Sequence, residues 1–454
     1  YLTSYAVEYT TDKANPMRIG MREKSLSIID AAMMSSDAIR IQYAAKQSRI
    51  SNAYKKWIGQ NKGLEILGAI QLKRDQEMVF ASKSESNRAS LANMEKAYAD
   101  LEKYSFGRDL LIEYFYYGPE FLRYCQSFTD LVESYATLDK EQIAEKVEKL
   151  KAATSRHFKD YHTPTDRAIF ESLTTMYINY IDQDLRPTSL ISMKGNADAV
   201  AKLSTGIYDK GYFANEEKMM SLLNSFGAKS VKKLKSDPAY ILSAEVLKVY
   251  DAQIKPEYAR LTQEIDVLMK DYVVAMEAVF PDRVYWPDAN STLRLTYGKA
   301  EGSAPRDGMI YKFYTTSDGI LEKYIPEHRD FDLPPSLVEM LESRDFGPYA
   351  TNGELRVCFT GSNHTTGGNS GSPAMDGNGY LIGLNFDRTW ESTMSDIMFD
   401  PDRCRNIMVD IKYVLFIIDK YAGATHLINE MTLVYPKSVE KPEMDVAPVG
   451  EKVH

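Results

Sequence analysis

The sequence predicts an α+β protein in which a long helical block precedes a block of short strands. Three observations carry this reading. Apolar residues return every three or four positions from about Ser35 to Phe280, with few Gly or Pro interruptions. After Pro281 the texture changes to short alternating segments broken by Gly, Asn, Asp and Pro, and a helical stretch follows from about Ile411 to Tyr421. A return of three to four is the period of a helix face and a return of two is that of a strand face. Blocks that segregate in this way make an α+β fold or two domains in series.

Within the helical block, Ile50, Tyr54, Trp57 and Ile58 form one apolar stripe, and Leu261, Ile265, Leu268 and Tyr272 form another that ends before Pro281. Asp139 followed by Gln142 has the spacing of a capping box, which opens a helix with Ile143, Val147 and Leu150 on its apolar side. These stripes read as core, because helices in proteins are held mainly by burying one face. The 20 Met residues are scattered and read as core filling. No internal repeat of fixed period is present.

In the second block Leu293, Leu295 and Tyr297 alternate with polar residues, as do Leu355, Val357 and Phe359. Asp376-Gly377-Asn378-Gly379 reads as a turn feeding a strand with Tyr380, Ile382, Leu384 and Phe386 on one face. The expected division is a leading segment over 1–34, a helical domain over 35–283 and a β domain over 284–454.

The 454 residues suffice for two or three cores. A hydrophobic share of 44% and a charged share of 26% are ordinary for a folded globular protein. The formal net charge of -9 argues against gripping a phosphate backbone, so nucleic acid is not an expected partner. Such a surface also repels acidic peptides at long range, and any preference for them must come from a local cation inside a site. Cys125, Cys358 and Cys404 have no CxxC spacing and no His cluster beside them, so no metal site is expected. A Cys358–Cys404 bridge is compatible with an oxidising compartment, and spacing alone does not decide it. No run approaches the length of a transmembrane helix. The sequence begins at Tyr1, without Met, and upstream sequence is expected.

The segment Thr365-Thr366-Gly367-Gly368-Asn369-Ser370-Gly371-Ser372-Pro373 lies between two expected strands. Glycines on either side of a serine let the chain turn sharply and present Oγ, while the amides of Ser370 and a preceding glycine can face a developing oxyanion. Taken alone, Gly-Asn-Ser-Gly also reads as a Gly/Ser-rich connecting loop without chemistry.

Its setting points further. Gly367 to Asp387, the run Asn385-Phe386-Asp387-Arg388-Thr389-Trp390-Glu391 and the segment Arg403-Cys404-Arg405-Asn406-Ile407 resemble the bacterial dipeptidyl-peptidase 7 and 11 family. Tyr1-Leu2-Thr3-Ser4-Tyr5-Ala6-Val7, Arg40-Ile41-Gln42-Tyr43-Ala44 and Lys55-Lys56-Trp57-Ile58-Gly59 are similar to it as well, so the resemblance covers nearly the whole chain. It implies a helical domain capping a chymotrypsin-like double β-barrel, of which the first barrel is largely missing from this chain. It implies Ser370 as nucleophile, with Gly368 and Ser370 as oxyanion amides. Asp387 corresponds to the carboxylate that binds a peptide's α-ammonium. Arg388 corresponds to the position that is Arg in acid-specific members and Gly in broader ones.

Chemistry agrees with these assignments. A free amine read at a fixed distance from the nucleophile calls for an anion, and a guanidinium can bond a P1 carboxylate in two places. A surface ion pair between the neighbours Asp387 and Arg388 is the plain alternative. Strict alternation sends them to opposite faces, so both enter one cleft only if the strand bends or ends there. Phe386 shares the parity of Arg388 and is either a wall of the same pocket or core.

A serine peptidase also needs a histidine base and its carboxylate, which precede the serine in this fold. His157, His162, His328, His364, His426 and His454 include none in a suitable setting, and His364 reads as a turn residue. The base and its partner are expected upstream, and the 454-residue chain alone is expected to be inactive. The implied function is release of N-terminal dipeptides ending in Asp or Glu, without metal or organic cofactor. A broad dipeptidyl-peptidase and a non-catalytic peptide-binding protein are the alternatives. Homodimerisation and a periplasmic or cell-surface location follow only from the resemblance.

Overall fold

The computed structural model describes residues 2–286, 290–328 and 330–434. The chain divides into two compact units, Tyr1–Thr292 and Leu293–His454. No helix among the described residues is long and apolar enough to cross a membrane.

The first unit is helical from Ser4 onward. Within the expected leading segment, residues 4–34 are helical: Met17, Met21, Ile29 and Met33 of the helix Asn15–Ser35 are buried in the unit's main core. Ser36, with extended backbone, joins that helix to Asp37–Leu67, and the two helices pack on each other. Gly68, at φ +63°, ends the second of them in the left-handed conformation that glycine adopts without strain. The capping box at Asp139 forms as expected: its side chain accepts from the Gln142 amide at 2.8 Å, and Gln142 accepts from the Asp139 amide at 3.1 Å. Val147 and Leu150 of the helix that follows, Lys140–Lys159, are buried.

Aromatic rings pack on one another within this core. Tyr114 stacks on Tyr177 with ring centroids 4.5 Å apart, and Phe121, Phe128, Phe170 and Phe213 are fully enclosed. One buried ion pair is fully hydrogen-bonded. Arg22 donates from Nε to Glu113 at 2.6 Å and from Nη2 to its other oxygen at 3.0 Å. The guanidinium lies 4.0 Å from the ring centre of Tyr117 and 4.8 Å from that of Trp57. Burial pushes the Glu113 carboxyl up, and Arg22 opposes that shift.

In the second unit β1 (Ser303–Arg306) and β2 (Met309–Tyr311) form a hairpin through Gly308, at φ +71°. The main sheet contains β3 (Tyr314–Thr316), β4 (Arg356–Gly361), β5 (Pro373–Met375), β6 (Leu381–Arg388) and β7 (Asn406–Asp410). All its pairings are antiparallel and the order is β3-β4-β7-β6-β5. No ladder joins β3 to β5 among the described residues, and the five strands pair as one antiparallel sheet. A second core of Leu337, Leu341, Phe346, Tyr349, Leu355 and Phe416 gathers the unit's helices, including Ile411–Phe416.

Two expectations change here. Leu293, Leu295 and Tyr297 form no strand and are exposed at 103%, 82% and 88%. Alternation makes a strand only where backbone partners exist, and the first bridge in this part of the chain is Ala300 with Gly361. In β6 the most buried residues are Gly383 and Asn385, not the apolar run of opposite parity. A side chain at Gly383 would meet the Val409 carbonyl at 2.6 Å and the Phe359 ring at 2.7 Å, so the sheet and its packing neighbour close on bare backbone.

Candidate active site

The nucleophile candidate lies in the loop between β4 and β5. Gly368 and Gly371 have φ of +102° and +84°, and a Cβ on either would meet nothing within 4 Å, so backbone conformation rather than space requires glycine there. Asn369 closes the turn between them: its side chain accepts from the Thr366 amide at 3.0 Å, its amide donates to the Thr366 carbonyl at 3.3 Å, and its carbonyl accepts from Ser372 at 3.0 Å. Ser370 at the tip is exposed, and its Oγ lies 3.4 Å from the Phe386 carbonyl. The amides of Gly368 and Ser370 donate to no acceptor among the described residues. In such a loop they are available to a developing oxyanion.

Strand β6 anchors this loop through Asn385, a residue that sequence reasoning quoted without giving it a role. The Gly371 amide donates to the Asn385 carbonyl at 2.7 Å, and the Asn385 amide donates to the Ser372 carbonyl at 2.9 Å. Its side chain is buried, donates to the Asn369 carbonyl at 3.2 Å and accepts from Asn406 at 2.9 Å. The available signal was an amide side chain placed inside an apolar alternating run.

A β-bulge lies just before Asp387; beyond it Asp387 and Arg388 pair in regular register with Ile407 and Asn406, so the bulge does not by itself turn both side chains to one face. Asn385 faces Met408 and Asp387 faces the next residue, Ile407, so Phe386 is the extra residue; the strand then ends at Arg388. A bulge re-aims the side chains beyond it. Phe386 is 47% exposed, which removes its reading as core. Asp387 is exposed, and its Oδ1 accepts from the Arg388 amide at 2.7 Å.

The Arg388 guanidinium does not pair with its neighbour Asp387. It pairs with Asp396, Nη1 to Oδ1 at 2.6 Å and Nη2 to Oδ2 at 3.4 Å, while Nη1 also donates to Ser395 Oγ at 2.7 Å and reaches the Thr365 carbonyl at 3.5 Å. Its side chain is only 15% exposed. Thr365 lies in the loop that carries Ser370, just before its glycine turn, so the guanidinium is tied to the base of that turn. Sequence reasoning missed Asp396, since no spacing rule links it to a strand end eight residues earlier.

No histidine among the described residues is hydrogen-bonded to Ser370. His364 Nε2 lies 3.1 Å from the Ser395 carbonyl, its ring packs on Phe399, and burial lowers its pKa. His157 is buried in the helical unit with its ring stacked on Tyr124, and burial holds its pKa down to about 3. His162 Nδ1 pairs with Thr165 Oγ1. His454 lies outside the described residues. Cys358 and Cys404 are unbridged thiols.

Comparison with known proteins places this geometry. The model of the Peptidase S46 family matches residues 1–433. The chain is 39% identical over 443 residues to an Asp/Glu-specific dipeptidyl-peptidase of Flavobacterium psychrophilum, covering 96% of this chain and 61% of that protein. It is 37% identical over 448 residues to a dipeptidyl-peptidase 7 of Phocaeicola vulgatus, with the same coverage of 96% and 61%. The crystal structure of Porphyromonas endodontalis DPP11 in complex with the dipeptide Arg-Glu superposes with a TM-score of 0.77 at 29% identity, over 94% of this chain and 62% of that one. The chain thus spans 61% of the length of these curated relatives.

Proposed function

Because this chain belongs to the Peptidase S46 family, we propose that the protein of which it is part is a serine dipeptidyl-peptidase releasing N-terminal dipeptides with Asp or Glu at P1. The observation that carries the acidic preference is Arg388, a mostly buried guanidinium tied to the base of the Ser370 loop. A P1 carboxylate entering there exchanges water for a charge-assisted pair, which a neutral side chain cannot do.

In this reading Ser370 Oγ attacks the carbonyl carbon of P1 as a general base removes its proton. The base and its carboxylate come from polypeptide outside these 454 residues. The amides of Gly368 and Ser370 receive the oxyanion, worth about 3–4 kcal/mol per donor in related chemistry. The leaving amine takes the proton from the base, and water then releases the dipeptide from Ser370 by the same route. Asp387 holds the substrate's α-ammonium, which limits the product to two residues, and Phe386 forms an apolar wall of the P1 pocket. By family resemblance, a helical domain and a chymotrypsin-like double barrel make up the peptidase. No metal or organic cofactor enters, and a homodimer in the periplasm or at the cell surface completes the proposal by family resemblance.

The test is Arg388→Gly in the full-length protein, assayed on dipeptidyl substrates with Asp, Glu or Leu at P1. Loss of cleavage after Asp and Glu with retention of turnover after Leu supports the assignment. An unchanged acidic preference refutes it.

A further inference from the structure

We infer that Asp396 is a positioning residue for P1 selectivity: it holds the Arg388 guanidinium by one edge and leaves the other edge to the substrate carboxylate. The inference deepens the functional reading above and rests on Arg388 facing P1.

A guanidinium has five N–H donors in a plane. Asp396 takes the Nη1–Nη2 edge, with contacts at 2.6 and 3.4 Å, and Ser395 Oγ takes a further Nη1 donor at 2.7 Å. The Nε–H and the outward Nη2–H donate to no acceptor among the described residues. Those two donors form the side-on edge, which binds a carboxylate through two parallel hydrogen bonds.

The holder is itself held. Ser395 donates its amide to the Ser392 carbonyl at 2.9 Å and Ile397 donates to Met394 at 2.9 Å, so Asp396 sits on a hydrogen-bonded turn. Met394, 1% exposed, roots that turn in the interior, and His364 Nε2 meets the Ser395 carbonyl at 3.1 Å. An arginine free at the end of a strand would lose rotamer freedom on binding each substrate; one already clamped loses little. Asp396 also neutralises a largely desolvated cation while the site is empty, which lowers the cost of keeping it there. Its charge opposes the P1 carboxylate from the neighbouring edge of the same plane, a longer separation than the hydrogen bonds the carboxylate gains. Orientation therefore outweighs repulsion.

The experiment compares Asp396→Ala and Asp396→Asn with wild type in the full-length protein, on dipeptidyl substrates with Asp or Leu at P1. Asp396→Ala raises KM for P1 Asp about tenfold with kcat much less affected, and the Asp-to-Leu ratio of kcat/KM falls accordingly. Asp396→Asn, which keeps an acceptor oxygen in place, recovers part of the loss. Fluorophosphonate labelling of Ser370 reports whether the loop is intact; if Asp396→Ala loses it, Asp396→Asn carries the test through its own rise in KM. A KM for P1 Asp that is unchanged or lower in the labelled variant overturns the inference, even while Arg388→Gly still abolishes acidic cleavage. If Arg388→Gly keeps the acidic preference, the functional reading itself fails.

Discussion

The Gly371 amide donates to the Asn385 carbonyl at 2.7 Å, and through that bond strand β6 holds the loop that presents Ser370. The same strand, two and three residues further on, supplies Asp387 and Arg388. The candidate nucleophile and the two residues proposed to read the substrate are thus referenced to a single element, and a shift of the strand moves them together.

Asn385→Leu removes the side-chain bond to the Asn369 carbonyl and leaves the Asn406 amide without its acceptor, both in buried surroundings. An unmet buried donor costs about 1–3 kcal/mol. The full-length variant is expected to unfold at a lower temperature and to react with a fluorophosphonate more slowly than wild type. An unchanged reaction rate would show that Asn385 does not hold the loop.

Arg22→Ala strands the Glu113 carboxylate, whose side chain is 2% exposed. Breaking a buried pair from one side costs about 3–5 kcal/mol. Chemical denaturation should show that loss for Arg22→Ala and a much smaller one for the double variant Arg22→Met, Glu113→Leu. Equal losses in both would mean that packing, not charge, dominates the site.

Asp166 is fully buried and accepts from the Tyr161 and Tyr208 hydroxyls at 2.9 Å each and from the Glu120 amide at 2.5 Å. Burial first, and then the Glu120 charge, push its pKa up from 3.8 to about 7. A folded state that keeps a proton the unfolded chain releases is favoured below the unfolded pKa and loses that advantage as pH rises through the folded one. The thermal midpoint of wild type should therefore fall as pH rises between about 4 and 7, and Asp166→Asn should flatten that slope. Parallel profiles would remove Asp166 as the source.

Cys125, Cys358 and Cys404 are free thiols, and burial raises the pKa of each. Alkylation in denaturant without reductant should modify all three. A mass that shows Cys358 and Cys404 protected until reduction would establish a bridge instead.

What was legible in the sequence was local. The Asp139–Gln142 box needs only its own four residues, and the Asp376–Gly379 turn closes on itself, with Asp376 Oδ1 accepting from Asn378 at 2.9 Å and Tyr380 at 3.0 Å. The bulge at Phe386 was not legible, because it is defined by where Met408 and Ile407 of another strand fall. The Asp396 clamp was hidden for the same reason: it is made by a turn folding back beside a strand end. Leu293, Leu295 and Tyr297 failed in the opposite sense, with the right pattern and no partner strand among the described residues. The β-strand period states which face a residue would occupy, and only long-range pairing decides whether the face exists.

The central claim is that the Ser370 hydroxyl is the reactive nucleophile. It is tested most directly by treating the full-length protein with a fluorophosphonate and mapping the adduct by peptide mass spectrometry. The account predicts a single stoichiometric adduct on Ser370, absent from Ser370→Ala. An adduct on another serine, or none at all, would contradict it.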